Sequence, residues 1–348
     1  MLNLAGKTIA LVGGAGFIGH NLALSLKEKG ADVHVFDSFQ VNNLINFIAA
    51  GMEVSNRDLY LDILLERVNL LRQAGIPIHI LDARDYHLTT QAFNRIKPQI
   101  VVHLAAVAHA NVANKDPYST FDHSLRTLEN SLDSLRSPKW DFERLIFMSS
   151  SMVYGDFDGG TVTEDSICNP LGVYGALKFA GEKMVIAYNQ VFGLPYTIVR
   201  PSALYGERCV SRRVGQVFIE NAINGHEITI AGDGNEYLDF TYIQDLIQGL
   251  TLAMVEPKSL NQIFNLTYGN ARTIGEMASI LLKHFPDATL RHIPRDRLMP
   301  KRGTLSVEKA HDLLGFKPTF PLETGFPQYI RWYDSLIKDK GAVPVFIE

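Results

Sequence analysis

The chain has 348 residues, of which 46% are hydrophobic and 20% charged, a composition that excludes disordered, collagen-like and coiled-coil chains. Its 33 basic and 37 acidic residues leave a net charge of −4, which excludes a broad basic field for binding nucleic acid non-specifically. Two cysteines, Cys168 and Cys209, cannot build a disulfide framework or a four-cysteine zinc site.

At roughly 150 residues per domain, the length predicts two domains, or one large domain with an appended lobe. The N-terminal apolar run is about seven residues long and ends in glycines, too short for a signal peptide or membrane span. The expected compartment is the cytoplasm. Thr8–Val12, Val33–Phe36, Ile76–Leu81, Ile100–Ala106, Leu145–Met148 and Tyr196–Arg200 are short unbroken apolar runs. Such runs mark buried parallel strands, covered by helices on both faces. Phe17–Lys29 carries apolar residues at helical spacing and stops at Gly30. Alternating strands and helices predict an α/β fold with a doubly wound, Rossmann-type parallel sheet.

The connection from Ser38 to Gly75 is unusually long. Within it Leu61, Leu64, Leu65, Val68 and Leu71 share a helical face. This predicts a packed surface helix or, more sharply, a dimer contact or a cover near a cofactor. Phe121–Arg136 and Tyr174–Val191 read as long helices. From about Gly206 onward glycine and proline become denser. Helical stretches at Val214–Asn224, Ile274–His284, Val307–Leu314 and Gln328–Ile337 interrupt short strands. The expected organisation is a cofactor domain over 1–200, which also holds the catalytic residues. A smaller mixed α/β C-terminal substrate lobe follows over 201–340, with the chain crossing between the two more than once.

Gly13, Gly16 and Gly19 follow the first strand and open the first helix. The glycines permit a tight turn, close approach of a pyrophosphate and close packing of helix on strand. The helix N-terminus, at Phe17 and Ile18, adds unpaired N–H donors and partial positive charge. Asp37, followed by Ser38, ends the second strand. A carboxylate there accepts from the adenosine ribose hydroxyls and repels a 2′-phosphate, which favours NAD over NADP.

Tyr174 and Lys178 stand one helical turn apart on the same face. The ammonium is expected to lower the phenol pKa, which would suit a general base on an alcohol. Ser149-Ser150-Ser151-Met152 ends the fifth strand, where open α/β sheets bind ligands.

With these residues in place, the chain resembles the extended short-chain dehydrogenase/reductases of the NDP-sugar epimerase/dehydratase group. The motifs that carry the resemblance are the glycine loop, Asp82-Ala83-Arg84-Asp85, His103-Leu104-Ala105-Ala106, Ser149 to Gly155, Tyr174-x-x-x-Lys178, Arg200 to Gly206, Asp239 to Asp245, and Lys309-Ala310 with Leu313-Leu314-Gly315. The resemblance implies that Ser150, Tyr174 and Lys178 are catalytic. It implies that Asp82 and Ala83 meet the adenine, and that Leu104, Ala105 and Ala106 line the phosphate and ribose side. Lys178 would hold the nicotinamide ribose, with Ser149 close by, and Pro201 and Ser202 would lie near the carboxamide. The expected substrate-facing set is Ala108, His109, Ser150, Ser151, Met152, Ala203, Arg208, Arg213 and Arg297. The implied partners are NAD, a nucleotide-diphosphate sugar and a second copy of the chain, without nucleic acid, membrane or metal.

Dehydratases and decarboxylases of this group are expected to carry an acid just after the catalytic hydroxyl. Ser151 and Met152 supply none, so epimerisation at C4 is the expected chemistry. The alternative is a 4-dehydrogenase or ketoreductase that stops after one transfer; a redox sensor that has lost its chemistry is the non-enzyme reading. Two departures stand out. Ala203 replaces the family's asparagine, and Leu238 replaces its diphosphate-binding arginine. Arg208, Arg212, Arg213, Arg295, Arg297 and Arg302 are therefore the candidate cations. His103, His109 and His123 lie on separate elements without a ligand-like pattern.

Overall fold

The computed structural model describes residues 4–49, 56–157, 160–295 and 299–338. In chain order the first half runs β1 (Thr8–Val12), α1 (Phe17–Glu28), β2 (Asp32–Asp37), α2 (Leu44–Ile48), α3 (Arg57–Gln73), β3 (Ile78–Ile80) and α4 (Tyr86–Ile96). It continues with β4 (Ile100–His103), α5 (Ala110–Lys115), α6 (Pro117–Phe121), α7 (Thr127–Leu135), β5 (Arg144–Met148), α8 (Gly172–Phe192) and β6 (Tyr196–Arg200). The remainder comprises β7 (Leu204–Tyr205), α9 (Val214–Ile223), β8 (Ile228–Ala231), β9 (Tyr237–Leu238), β10 (Thr241–Tyr242), α10 (Ile243–Val255) and β11 (Gln262–Asn265). It ends with β12 (Arg272–Thr273), α11 (Ile274–His284), β13 (Leu290–Ile293), α12 (Glu308–Leu314) and α13 (Leu322–Lys338).

Seven parallel strands form the central sheet in the order β11-β6-β5-β4-β1-β2-β3. Ile9 and Leu11 pack into one helical layer with Leu22 and Leu26 of α1 and Leu246 and Leu250 of α10. Ala10 and Val12 pack into the other, with Leu128 and Leu132 of α7 and Val185 of α8. Both faces of β1 are therefore dry, and its sequence has no polar alternation. The strand order reverses between β1 and β4. The crevice that this opens beyond their carboxyl ends is where such sheets bind ligands.

β11 lies far along the chain yet pairs with β6 at the sheet edge, Phe264 opposite Val199. The smaller lobe rests on three two-stranded pairs, β10–β7, β12–β9 and β13–β8.

Several expected boundaries move. The third strand is only Ile78–Ile80: it is the sheet edge, follows Pro77 and leaves Ile80 81% exposed. The fourth stops at His103, because Leu104–Ala106 turn out to border the glycine loop. The expected helix Phe121–Arg136 contains a π-turn over Asp122–Arg126, with the Thr127 hydroxyl donating to the His123 carbonyl at 3.0 Å. α13 begins earlier, at Leu322, and carries Pro327 inside it.

Helix α3 buries a face that overlaps the leucine stripe at Leu64 and Leu71, with Leu61 and Val68 half-buried against the core. Tyr60, Ile63, Leu64, Arg67 and Leu71 point inward while Leu65 is exposed. The reason is a polar anchor. Glu220 of α9 accepts from Tyr60 at 2.7 Å and Asn56 at 2.8 Å through one oxygen, and from Tyr333 at 2.9 Å and Gln216 at 2.8 Å through the other. A buried carboxylate with four donors is fully satisfied, and it rotates α3 toward the C-terminal lobe.

Candidate active site

The glycine turn closes over β1. Gly13 has a φ of +79°, which favours glycine, and a Cβ there would lie 2.7 Å from the Ala105 nitrogen. A Cβ on Gly19 would lie 2.5 Å from the Gly14 backbone. The turn thus admits no side chain where strand, helix and loop converge. Gly16 caps α1 without a side-chain partner, which leaves amides of the first helical turn free for an anion.

A cleft of about 870 Å³ opens in front of these amides. Gly13, Gly16, Phe17, Ile18 and Gly19 form its floor; Asp37, Ser38, Asp82 and Ala83 line one end. Leu104, Ala105, Ala106, Ala108, His109 and Arg213 continue the wall toward the other. Asp37 accepts from the Ala15 amide at 3.0 Å and the Phe39 amide at 2.7 Å. Burial raises its pKa against these two amides. Asp82 is gripped by Arg84, with contacts of 2.6 to 3.0 Å. A floor without side chains, a helix N-terminus and a carboxylate at the rim fit the pyrophosphate and ribose of NAD.

Ser150 lies just past β5 and caps a short turn over Ser151–Tyr154, its hydroxyl accepting from the Met152 amide at 3.2 Å. The phenol of Tyr174 on α8 lies close enough to the Ser150 side chain for that hydroxyl to lower its pKa. Lys178, one turn on, sends its ammonium to the Met148 carbonyl at 2.7 Å and lies 5.3 Å from the Phe147 ring centre. The three expected residues therefore converge at the carboxyl end of β5.

One electrostatic expectation is corrected. The phenol is not held low by Lys178. Burial raises its pKa, and the influences that oppose this are the Arg213 charge, the Ser150 hydroxyl and the Arg302 charge. Burial also pulls Lys178 down to about 8, partly offset by Glu182. The folded-state value lies below the 10.5 of the free side chain. Between these two values the unfolded chain holds more protons, so the stability contributed at this site rises with pH through that window. The stability difference between Lys178→Met and the wild type is therefore expected to favour the variant more at neutral pH than near pH 10. The change approaches about 3 kcal/mol over the whole window, read from urea unfolding at both values. A difference that stays flat with pH counts against a strained ammonium.

Beneath this site lies a pair that the sequence did not announce. Glu182, one turn beyond Lys178, accepts from Arg200 at 2.9 and 2.7 Å and from the Ser149 hydroxyl at 2.5 Å. Both side chains are almost wholly buried. Arg200 also donates to the Tyr154 hydroxyl at 2.9 Å and stacks over that ring. The spacing 174, 178, 182 along one helix face was the available signal. Arg67 is likewise buried, lines the cleft and donates to the Arg208 carbonyl at 2.9 Å. Its signal was an arginine at helical spacing beside apolar residues.

The other expected substrate residues separate. Arg213 donates to the Ala108 carbonyl at 3.1 Å, and His109, pushed down by burial and by Arg213, shares that wall. Arg208 instead donates to His20 and Glu66, both at 3.2 Å, behind the glycine loop. Arg297 lies outside the described residues. Ala203 takes a left-handed φ of +35°. Ser151, Met152 and Ser202 gather around Arg302. Pro201 accepts from the Ser151 amide at 2.9 Å. His103 is a buried strand residue bonded to Ser131 at 3.1 Å.

Known proteins share this architecture. UDP-glucuronate 4-epimerase 1 of Arabidopsis thaliana is 29% identical over 349 residues, covering 94% of this chain and 77% of that one. The UDP-glucuronic acid 4-epimerase of Bacillus cereus, solved with UDP-glucuronic acid and NAD, matches with a TM-score of 0.82 at 25% identity, over 95% of this chain and 100% of that one. The UDP-glucose 4-epimerase of Thermus thermophilus, solved with NAD, matches at 0.78 and 25% identity, over 94% and 99%. From the first strand to the far edge of the sheet, residues 9–267 match one family description, and the chain belongs to the NAD dependent epimerase/dehydratase family.

Proposed function

We propose that the protein is an NAD-dependent nucleotide-sugar epimerase that inverts a sugar carbinol at C4. The observation that carries this is the hydroxyl pair of Ser150 and Tyr174 at the end of β5, followed by Ser151 and Met152. That position holds no carboxylate to eliminate water or carbon dioxide. The relatives named above, each a 4-epimerase, support the same reading.

NAD, when bound, supplies the group that reversibly takes up the hydrogen from C4. Tyr174 takes the proton of the C4 hydroxyl, with Ser150 hydrogen-bonded to the same oxygen. Arg213 and Arg302 add positive charge that favours the phenolate. Lys178 holds the cofactor ribose. Once the 4-keto sugar has turned over, C4 would regain its hydrogen on the opposite face, and Tyr174 returns the proton to the C4 oxygen. Asp37 and Ser38 seat the adenosine ribose, while Ala108, His109 and Arg213 face the substrate. Residues 1–200 carry the cofactor and the chemistry, and 201–340 close over the sugar nucleotide.

We further place the protein in the cytoplasm as a homodimer. Two unpaired thiols suit a reducing compartment. The exposed Tyr118, Phe121, Val191 and Phe192 on α6 and α8 suit a helical interface.

Incubation with UDP-hexoses and UDP-hexuronates tests the reading. An epimerase interconverts the C4 isomers with no net rise in reduced-nicotinamide absorbance. Stoichiometric accumulation of reduced cofactor identifies a dehydrogenase, and no response to any nucleotide sugar favours the sensor. In the same assay Asp37→Ala is expected to loosen the preference for NAD over NADP about tenfold or more. An unchanged ratio removes Asp37 from that role.

A further inference from the structure

Half-buried Arg302 stands apart from the fully buried arginines. Arg200 has the Glu182 carboxylate. Arg67 has the Arg208 carbonyl, and Arg144 has the carbonyls of Ala253 and Glu256. Arg302 meets only weak, neutral acceptors. One terminal nitrogen touches the Ser151 hydroxyl and lies 3.4 Å from that of Ser202. The other donates to the Met152 thioether at 2.8 Å, and the guanidinium stacks 5.2 Å from the Phe157 ring centre. Its buried Nε has no partner. Among the described residues no carboxylate lies within ion-pairing distance of it.

The carboxylate that acts on it from further away is Asp239. Its oxygens are already taken by the Leu305 and Gly269 amides, at 3.0 and 3.1 Å, and by the Thr267 hydroxyl at 3.0 Å. A desolvated guanidinium without an ionic partner is unfavourable by itself and favourable once an anion arrives. The place of that anion is constrained. Ser151 directly follows Ser150, and the Arg302 charge is felt at Tyr174. The anion therefore belongs to the part of the substrate that reacts. A diphosphate is more naturally held by Arg212 and Arg213, which line the cleft beside His109.

We propose that Arg302, with the Ser151 and Ser202 hydroxyls, forms a specificity-determining subsite for a carboxylate on the sugar ring. The substrate is then a nucleotide-diphosphate uronic acid rather than a neutral hexose. The guanidinium presents planar paired donors to a carboxylate, and the two hydroxyls rotate to donate as well. The inference rests on the epimerase reading above.

The test uses the full chain with its cofactor. Turnover of UDP-glucuronate and UDP-glucose is measured for wild type, Arg302→Gln and Arg302→Lys, alongside calorimetric binding of both sugars and of UDP alone. Wild type is expected to favour the uronate about 100-fold in kcat/KM. Arg302→Gln should lose about 100-fold more kcat/KM on the uronate than on UDP-glucose, any loss through the Tyr174 phenolate being common to both sugars, while affinity for UDP changes less than about threefold. Arg302→Lys should keep charge but not fork geometry and fall between, a readout that stands if the glutamine variant does not fold. A wild type that prefers UDP-glucose overturns the subsite while leaving the epimerase reading intact. Equal losses on both sugars and on UDP also overturn it and assign Arg302 to the diphosphate. If neither sugar turns over, the epimerase reading falls. The binding series then still decides: equal affinity of wild type and Arg302→Gln for UDP-glucuronate, or no binding to wild type, overturns the subsite.

Discussion

Tyr174→Phe is expected to cut turnover by about 100- to 10,000-fold while the protein still folds and still binds NAD. The change removes one oxygen atom. The ring stays within its packing, and the cleft proposed for the dinucleotide is lined by other residues. What is lost is the group that both reaches Ser150 and can accept a carbinol proton. The Ser150 hydroxyl alone is too weak a base at neutral pH. The loss should appear in kcat and kcat/KM alike, because a proton-transfer partner acts in the transition state and contributes little to ground-state binding. Steady-state kinetics on a converted nucleotide sugar, with cofactor content measured after gel filtration, checks this. Near-wild-type turnover would discard the mechanism.

Glu182→Ala is expected to be the most destabilising single substitution near the site, by about 3–5 kcal/mol. It strands the Arg200 guanidinium, which is 3% exposed, and frees the Ser149 hydroxyl. An uncompensated buried charge costs more than the ion pair itself contributes. Replacing both partners, as in Glu182→Leu with Arg200→Met, should therefore recover much of the loss. Urea unfolding of the two variants decides the matter. A single variant as stable as wild type, or a double variant no better than the single, shows that the pair does not carry its own desolvation. The pair links β6, α8 and the end of β5, so its failure also loosens the shelf that presents Ser150.

Much of this protein was legible in its sequence, for local reasons. The strand runs Thr8–Val12 and Leu145–Met148 are apolar throughout because both faces of the sheet are covered. The glycine turn was readable because no side chain fits between Gly13 and Ala105 or between Gly19 and Gly14. Asp37 followed from its distance past the last glycine at the end of β2, and the pairing of Tyr174 with Lys178 from one turn of helical spacing. These features depend on neighbours a few residues away, and a one-dimensional pattern records them.

Only the tertiary structure decided who faces whom. Helix α3 turned its face toward Glu220, some 150 positions distant, and left Leu65 in solvent. Arg208 went to His20 behind the glycine loop, while Arg302 reached Ser151 beyond β5 and Ser202 beyond β6. The Lys178 ammonium chose the Met148 carbonyl, which left the charge on Tyr174 to arginines from the C-terminal half. Long polar side chains have several rotamers and several candidate partners. Which partner wins is set by desolvation and by the carboxylates, carbonyls and hydroxyls that other strands and helices bring within reach.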